Sequence, residues 1–405
     1  MNPPRLLHLF NRYRFFGGEE AAVNRMTSVM RQSGVEVREC FASSEDWEGP
    51  QAPARWRQAL LSLNNSDFVE RVQSEDATLH SDLWLGHNLF PIISAGVLRK
   101  AAQLSRPVFL YLHNYRPFSV NGAFWAGNQL RPEGLNGNFW PEIRAGSWQE
   151  SRLRTAWMAL VLKTALLRGW YDHVTEWIAV SQFVRDRFVQ AGVPSQKISV
   201  LSYPFEPHST SPGPANSNRF LFLSRLTEAK GTRVVLDAWR QLVDRLGASA
   251  PILAVAGEGE GMVWVQNAKS ALGEKIEILG QIRGEQKDAA LRDCQALIVP
   301  SIWWDPYPTV VYEAFDSARP VFAARSGGLP ESVKSGVTGW LHKPGDSEEL
   351  ANQIEDASTQ PATTQKMGQN ARDWLLQHAG NHVWWEGFSK IIGKHLDCSK
   401  STKAS

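Results

Sequence analysis

The sequence predicts an α/β protein with two doubly wound parallel-sheet domains, and three observations support this prediction. Short apolar runs alternate with longer stretches of helical periodicity, which is the pattern of repeated β-α units. The chain has 405 residues, more than one ordinary hydrophobic core accommodates. The alternation stops once, at the polar segment EPHSTSPGPANSN (206–218), whose Pro, Ser and Asn content is typical of an interdomain linker.

Residues 1–205 form the first predicted domain. Its expected strands are RLLHLF (5–10), VEVREC (35–40), DLWLGHN (82–88), PVFLYLHN (107–114) and EWIAVS (176–181). Its clearest helical patterns are at 18–33, 91–104 and 181–191. Because helices separate consecutive strands, we expect a parallel sheet with helices on both faces.

Residues 219–381 form the second predicted domain, in which the same alternation restarts. Its expected strands are RFLFLSR (219–225), APILAVAGEG (250–259), KIEILG (275–280), QALIVPS (295–301) and PVFAA (320–324). A last helical pattern at 382–396 is followed by the polar tail 397–405, for which we predict disorder.

Composition excludes several classes of function. The 43 Lys and Arg residues are nearly balanced by 41 Asp and Glu, so no nucleic-acid surface is expected. The three cysteines lack metal-ligand spacing, which suits a reducing cytoplasm and predicts no metal site. No signal peptide or apolar run of membrane-spanning length is visible, so we expect a cytoplasmic protein. VAGEGEG (255–261) breaks the G-x-G-x-x-G pattern at Met262, which disfavours a dehydrogenase.

Ligands of parallel sheets bind at the carboxyl ends of the strands, and candidate residues lie there. In LSRLTEAKG, Arg225 and Lys230 precede a helix N-terminus, where two cations and free backbone N–H groups suit a diphosphate. An ordinary solvated pair of basic residues is the alternative. Gly257 lies in the turn after another strand, where it allows a nucleotide to approach the backbone or forms a plain tight turn.

The segment IVPSIWWDPYPTVVYEAF (298–315) carries two acids eight positions apart, Asp305 in a loop and Glu313 in a helix. This spacing suits a ligand with an anionic centre and hydroxyl groups at both ends, such as a sugar nucleotide. Alternatively, Asp305 caps the helix and Glu313 faces solvent.

The first domain adds a glycine pair, a histidine and a basic apolar helix. Gly17 and Gly18 precede a helix with two acids in its first turn, so they form either a phosphate-closing loop or ordinary capping. His113 follows a strand directly and has either a structural or a functional role. The segment 152–170 is apolar with interspersed Arg and Lys, which fits contact with an anionic membrane or a buried helix.

Together these motifs resemble family 4 of the retaining glycosyltransferases. The resemblance rests on FFGGEE, HNLFP, LHNYRPFSVNG, AVSQFVRDRF, LSRLTEAKG and the segment of the two acids. HNLFP and LHNYR are similar to bacterial enzymes that build surface polysaccharides. The resemblance implies the GT-B architecture, in which two Rossmann-like domains face each other across a cleft. It implies that 1–205 is the acceptor-side domain and that 219–381 binds the donor nucleotide sugar. It also implies that the C-terminal helix crosses back onto the first domain.

The resemblance also assigns roles around a nucleoside-diphosphate sugar, linked to UDP or GDP. Arg225 and Lys230 would hold the diphosphate, and Glu313 would bind the ribose hydroxyls. Thr309 and Val310 would belong to the same donor site.

Further roles follow for the sugar end of the donor. Asp305 would bind the hydroxyls of the transferred sugar, and His113 would contact that sugar from the first domain. Gly17 and Gly18 would approach the diphosphate, and Gly257 would lie near the nucleotide. The expected catalytic residues are Lys230, Arg225, His113 and Asp305. The family pattern has Glu where this chain has Asp305, which puts the choice of donor sugar in question.

The function so implied is retaining, metal-independent transfer of a sugar to an acceptor hydroxyl, without a cofactor. The acceptor would be a glycan or a lipid-linked glycan, in polysaccharide or glycoconjugate synthesis at the inner face of the plasma membrane. Two alternatives stay open at this stage: a sugar-nucleotide epimerase of the same fold, and an inactive sugar-nucleotide-binding partner protein.

Overall fold

The computed structural model describes residues 4–13, 17–209, 213 and 218–401. The chain divides into two compact units. The first comprises Met1–Phe205 with Asn381–Ser405, and the second comprises Glu206–Gly380. Most of the predicted linker, 210–212 and 214–217, lies outside the described residues.

The first unit is built on a parallel sheet. Its strands are β1 (Arg5–Arg12), β2 (Glu36–Ser43), β3 (Leu83–Gly86), β4 (Val108–Leu112), β5 (Trp125–Ala126), β6 (Gln129–Leu130), β7 (Glu176–Ala179) and β8 (Ile198–Val200). Its helices before the linker are α1 (Gly18–Gln32), α2 (Arg55–Leu63), α3 (Ser66–Leu79), α4 (Gly96–Gln103), α5 (Trp140–Ala145), α6 (Arg152–Leu167) and α7 (Gln182–Gln190). The sheet order is β2-β1-β3-β4-β7-β8, all parallel, and β5 and β6 form a separate antiparallel pair.

The second unit repeats this plan. Its strands are β9 (Arg219–Leu223), β10 (Ile252–Ala256), β11 (Ile276–Gly280), β12 (Ala296–Val299), β13 (Val321–Ala324) and β14 (Gly339–His342). Its helices are α8 (Thr232–Leu246), α9 (Met262–Leu272), α10 (Glu285–Asp293), α11 (Val310–Asp316), α12 (Leu329–Ser332), α13 (Ser347–Thr359) and α14 (Pro361–His378). The parallel sheet has the order β11-β10-β9-β12-β13-β14.

The predicted class of two doubly wound α/β domains is confirmed. Strands β3, β4, β7, β12 and β13 are buried along their whole length, as expected for apolar runs covered on both faces. The structure adds β8 and β14 at the edges of the two sheets. Each has only three or four residues, too few for an apolar pattern to stand out in the sequence.

The C-terminal helix α15 (Asn381–Ser401) belongs to the first unit. Its Trp384 indole is buried and donates a hydrogen bond to the Tyr111 hydroxyl at 3.1 Å. Tyr111 in turn donates to the Leu201 carbonyl at 2.7 Å, which connects α15 with β4 and with the chain that leaves β8. The helix continues through 397–401, for which the sequence predicted disorder, and 402–405 lie outside the described residues.

Candidate functional site

The sheet of the second unit changes direction between β9 and β12. β9 is the first strand of the unit and pairs with β10 on one side and β12 on the other. The loops after two such strands run to opposite faces, which leaves a crevice where ligands of doubly wound sheets bind. The loop after β9 carries Arg225 and Lys230, and the loop after β12 carries Asp305. The fold therefore brings predicted site residues from both loops to one place.

Lys230 and Asp305 form an ion pair in this crevice. The Lys230 ammonium lies 2.5 Å from Asp305 Oδ2, and the two side chains are only 18% and 5% exposed. The Ser301 hydroxyl donates to the same oxygen at 3.3 Å, and the ammonium lies 5.0 Å from the centre of the Trp303 ring. Lys230 was expected to bind the diphosphate and Asp305 the sugar. In the structure the two side chains contact each other, and the ammonium neutralises the carboxylate.

The Gly-Gly turn after β13 holds the backbone of Asp305. The Gly328 N–H donates to the Asp305 carbonyl at 2.8 Å. Gly327 has a φ of +60°, and a Cβ atom there would lie 2.0 Å from the same carbonyl oxygen. The turn thus needs glycine for its backbone conformation and for its close approach to the Asp305 loop.

Arg225 is the exposed cation of the crevice. It lies two residues after β9, and its guanidinium has no hydrogen-bond or ion-pair partner among the described residues. Since the charge of Lys230 is already compensated, Arg225 supplies the uncompensated positive charge of this loop. An incoming diphosphate would meet that charge first.

Two glycines near the crevice, one of them the predicted Gly257, make close backbone approaches. Gly231 caps the N-terminus of α8 with a φ of +76°, and a Cβ atom there would lie 2.1 Å from the Pro300 carbonyl oxygen. This approach places the free N–H groups of α8 beside the end of β12. At Gly257, φ is +136° and a Cβ atom would lie 1.8 Å from the Ser224 carbonyl oxygen. Gly257 thus allows the loops after β9 and β10 to pack together.

Glu313 lies on α11, close to a lysine that sequence reasoning missed. Its Oε1 is 2.8 Å from the Lys287 ammonium, which is supplied by α10. Thr309 caps α11 and Val310 begins it, and both are partly buried. Lys287 lies in the charged stretch EQKDAALRD and resembles any solvated lysine, so no sequence signal distinguishes it.

His113 belongs to a chain of buried histidines in the first unit. The Tyr203 hydroxyl lies 3.0 Å from His113 Nδ1, and His113 Nε2 lies 2.7 Å from His87 Nδ1. His87 Nε2 is 2.5 Å from His8 Nε2, and His8 Nδ1 is 3.1 Å from the Thr27 hydroxyl. The three rings come from β1 and from the ends of β3 and β4, which are neighbours in the sheet.

The hydrogen bond of Thr27, at one end of the row of histidines, determines which atom donates in each hydrogen bond along the row. The Thr27 hydroxyl donates its one proton to the Val23 carbonyl at 3.0 Å, so it accepts from His8 Nδ1–H. His8 Nε2 then accepts from His87 Nε2–H, and His87 Nδ1 accepts from His113 Nε2–H. His113 Nδ1 is left to accept from the Tyr203 hydroxyl. Burial lowers the pKa of His8 and of His113 to about 3, and that of His87 well below its ordinary value, so all three rings are neutral.

The predicted glycine pair lies beside a second buried cluster. Gly17 caps α1 in an extended conformation, and Gly18 begins the helix. The adjacent Glu19 accepts a hydrogen bond from the Asn114 amide at 3.2 Å, and burial raises its pKa to about 7. Arg116 is 7% exposed, and its Nε and Nη1 atoms have no hydrogen-bond partner among the described residues. Glu19, Asn114 and Arg116 line a cavity of about 30 Å³ together with His113. Such a volume holds about one water molecule.

No group of three or more His, Cys, Asp or Glu side chains suited to a metal ion occurs within the described parts of the chain. Within the same ranges, no helix combines the length and the apolar character needed to cross a membrane.

Comparison with known proteins finds similarity to glycosyltransferases. Residues 207–374, nearly the whole second unit, match the model of a family described as glycosyl transferases group 1. The chain is 26% identical over 348 residues to a phosphatidyl-myo-inositol mannosyltransferase of Mycobacterium leprae, covering 84% of this chain and 83% of that protein. It is 25% identical over 224 residues to the amylovoran biosynthesis glycosyltransferase AmsK of Erwinia amylovora, covering 53% of this chain and 55% of AmsK. The chain thus spans about half the length of this second relative.

Solved structures give the fold. The chain is similar to Anabaena HepE in complex with UDP, with a TM-score of 0.66 and 20% identity over 96% of this chain and 99% of that one. This likeness and the two parallel sheets confirm the predicted GT-B class. The family match confirms the resemblance found in the motifs.

Proposed function

We propose that this chain, whose residues 207–374 match the family model of the glycosyl transferases group 1, transfers a sugar from a nucleoside-diphosphate sugar to an acceptor hydroxyl. The anomeric configuration is retained, and no metal ion takes part. The observation that carries the proposal is the crevice between β9 and β12, where Arg225, Lys230 and the N-terminus of α8 come together. This arrangement suits the diphosphate of a sugar nucleotide.

The donor is oriented by both loops and by α11. Glu313 binds the ribose hydroxyls through its remaining carboxylate oxygen, while Lys287 holds Oε1. Lys230 lies between Asp305 and the diphosphate and shares its N–H donors between them, since an ammonium group has three. The donor is linked to UDP or GDP, and UDP is the first nucleotide to test because the similar structure of HepE was solved with it.

The transfer step breaks the bond between the anomeric carbon and the diphosphate oxygen and forms a bond to the acceptor oxygen on the same face. The acceptor proton passes to the departing diphosphate oxygen, so no separate protein base is needed. Arg225 and Lys230 neutralise the charge that develops on the leaving group, which is the dominant electrostatic contribution in many enzymes. These two cations take the role that a metal ion has in other transferases.

His113 contributes to this scheme as a neutral group. Both of its ring nitrogens already have protein partners, His87 and Tyr203. A ring contact with the donor sugar therefore requires Tyr203 to release Nδ1, whereas Nε2 stays bound to His87. With a pKa near 3, His113 does not act as a cationic acid at neutral pH.

We also place the chain in the cytoplasm, with the first unit against the inner face of the membrane. Helix α6 exposes Leu153, Leu160 and Leu167 at seven-residue spacing, and it contains Arg152, Arg154 and Lys163 but no acid. An exposed apolar stripe beside cations suits an anionic lipid surface. The other interpretation of α6, a buried helix, applies only to its second face, which contains the buried Val161 and Leu162.

An inactive sugar-nucleotide-binding protein is the second candidate. The observation that favours it is the ion pair itself, because Asp305 engages Lys230 and is nearly buried. Such a protein would bind UDP without consuming any UDP-sugar.

The test compares Lys230→Ala and Glu313→Ala with the exposed control Arg240→Ala. Each site variant loses a charge-assisted contact of about 1.5–3 kcal/mol, so UDP affinity measured by calorimetry falls about 10- to 100-fold. UDP-sugar consumption falls with it, whereas the control is unchanged. Nuclear magnetic resonance of the product reports the anomeric configuration. Wild-type UDP affinity in both site variants would rule out the proposed donor site, and consumption without any acceptor product would favour an epimerase or a hydrolase.

A further inference from the structure

The loop after β12 carries a tryptophan, Trp303, whose indole N–H has no hydrogen-bond partner within the described part of the chain. The ring is partly buried, and its Nε1 atom is shielded from solvent. A shielded N–H group loses its hydrogen bonds to water, so most buried tryptophans have a protein partner instead. An exception beside Lys230 and Asp305 indicates that a ligand supplies the missing partner.

The backbone of Trp303 is held from three directions. Its N–H donates to the Ala229 carbonyl at 3.3 Å, next to Lys230. Its carbonyl accepts from the Asp305 N–H at 2.9 Å and from the Ser326 hydroxyl at 2.6 Å. These bonds connect the loop after β12 with the loop after β9 and with the end of β13. A ligand therefore meets a preorganised backbone at Trp303 and does not have to order this segment.

The ring face and the N–H of Trp303 point to different parts of a donor. The Lys230 ammonium lies over the ring face, 5.0 Å from its centre. The N–H bond lies in the plane of the ring and projects from its edge, so the two groups do not bind the same ligand oxygen. Lys230 is assigned to the diphosphate, and Trp303 lies in the same loop as Asp305. The oxygen that accepts from Trp303 therefore belongs to the transferred sugar.

The neighbouring protein groups determine which kind of sugar oxygen fits. Lys230 and Ser301 are donors, and Oδ2 of Asp305 already accepts from both. A sugar hydroxyl that accepted from Trp303 would bring a proton that needs an acceptor of its own. A carbonyl or carboxylate oxygen brings lone pairs and no proton, so it fits this surrounding of donors better.

We propose that Trp303 selects a donor whose transferred sugar carries a carbonyl oxygen, and that the indole N–H donates to this oxygen. The assignment rests on the proposed function, because it concerns the same donor site. An acetamido group and the carboxylate of a uronic acid both supply such an oxygen. Glucose and mannose, which have hydroxyl substituents alone, do not.

The first experiment measures donor preference by titration calorimetry. The ligands are UDP-glucose, UDP-N-acetylglucosamine and UDP-glucuronate with their galacto-configured counterparts, together with GDP-mannose and free UDP. We expect an acetamido sugar or a uronic acid to bind about tenfold more tightly than UDP-glucose, as one additional hydrogen bond allows. Which of the two binds more tightly distinguishes the acetamido group from the carboxylate. Binding of UDP-glucose or GDP-mannose that is as tight would overturn the proposal.

The variant Trp303→Phe keeps an aromatic face beside Lys230 and removes the N–H. In this variant the preference over UDP-glucose should disappear, whereas the affinity for free UDP should stay unchanged. Trp340→Phe is the matched control, because Trp340 is a partly buried tryptophan of the same unit whose ring stacks on Phe322 at 4.3 Å. An undiminished preference in Trp303→Phe would overturn the proposal. Weaker UDP binding in that variant would overturn it too, because the indole would then bind a phosphate oxygen.

Thermal unfolding of the ligand-free variants tests whether the N–H has a purely structural role. Since no partner for it exists among the described residues, Trp303→Phe removes no internal hydrogen bond. Its melting temperature should therefore fall no further than that of Trp340→Phe. A larger decrease would show that the indole N–H is bonded within the protein, which contradicts the proposal.

These outcomes separate the assignment of Trp303 from the proposed function. A preference that depends on Trp303, in a protein that consumes no nucleotide sugar, would contradict the proposed function and leave the assignment in place. Transfer from UDP-glucose as the preferred donor, with equal kcat/KM in the wild-type protein and in Trp303→Phe, would overturn the assignment and leave the proposed function in place.

Discussion

Asp305 is held by Lys230 in the crevice of the second unit. The family pattern has glutamate at this position, and the shorter aspartate forms an ion pair with Lys230 at 2.5 Å. In this state the lysine charge is compensated before any donor arrives. Donor binding must therefore overcome an existing contact, which lowers the affinity of the site for a diphosphate.

Replacing Asp305 with Asn tests this competition. The substitution leaves the Lys230 charge uncompensated and removes a carboxylate that repels phosphate. We expect UDP affinity to rise about three- to tenfold, roughly 0.7–1.4 kcal/mol, while sugar transfer falls. Titration calorimetry measures the affinity, with the half-exposed Asp237→Asn, remote from the crevice loops in sequence, as a control of the same charge change. Weaker UDP binding in Asp305→Asn would show that the carboxylate supports the diphosphate site.

Sequence predicted part of this site and missed residues that depend on the folded chain. Arg225, Lys230 and Asp305 could be found because each follows an apolar strand in a loop of recognisable composition. Lys287 could not, because its contact with Glu313 depends on the position of α10 beside α11. His8 lies within the apolar run RLLHLF and meets His87 only through the pairing of β1 with β3. The sequence alone does not show that Lys287 contacts Glu313 or that His8 contacts His87.

At the scale of elements, α6 has both a buried face and an exposed apolar face. Its apolar residues are too many for one face, so one set is buried and a second set is exposed. Helix α2 packs beside it and exposes Trp56 and Leu60. The two helices therefore present one apolar and basic surface, which periodicity along either helix could not reveal.

The double substitution Leu153→Asp and Leu160→Asp tests the membrane contact of α6. Both changes remove apolar area and add negative charge, so we expect at least a tenfold loss of binding to vesicles that contain 30% phosphatidylglycerol. Co-sedimentation measures this binding, and higher salt should weaken it in the wild-type protein. Leu376→Asp, an exposed leucine of the second unit, serves as the control. Equal sedimentation of the double variant and the control would contradict the contact.

At the scale of the whole molecule, alternation of apolar runs and helices was enough to predict two parallel sheets. Both sheets change direction beside their first strand, β1 in one unit and β9 in the other. The proposed donor crevice lies next to β9. Strand order depends on long-range pairing, so the sequence located the loops but could not place their side chains against each other.

The histidine chain predicts that the two units differ in sensitivity to acid. His8, His87 and His113 have folded pKa values far below the 6.5 of the unfolded chain, so below pH 6.5 the unfolded state binds protons that the folded state excludes. Stability of the first unit thus falls as the pH drops, by about 1.4 kcal/mol per pH unit for each histidine. Glu19 and Glu142 act in the opposite direction, because burial raises their pKa values and the folded state protonates first. The second unit has one comparable group, His342, whose pKa burial also lowers.

Hydrogen exchange between pH 7.5 and 5.0 measures this difference locally. After correction for the intrinsic exchange rate, the amides of β1, β3 and β4 should lose protection at pH 5.0 before those of β9 and β12. Three histidines outweigh the two opposing carboxyls in the first unit, whereas a single histidine acts in the second. His173 is exposed and does not belong to the group of three hydrogen-bonded histidines, so His173→Gln should leave the pH dependence of protection unchanged. His87→Asn should make this pH dependence weaker. Uniform loss of protection in both units would mean that the histidine chain does not control the acid stability of the first unit.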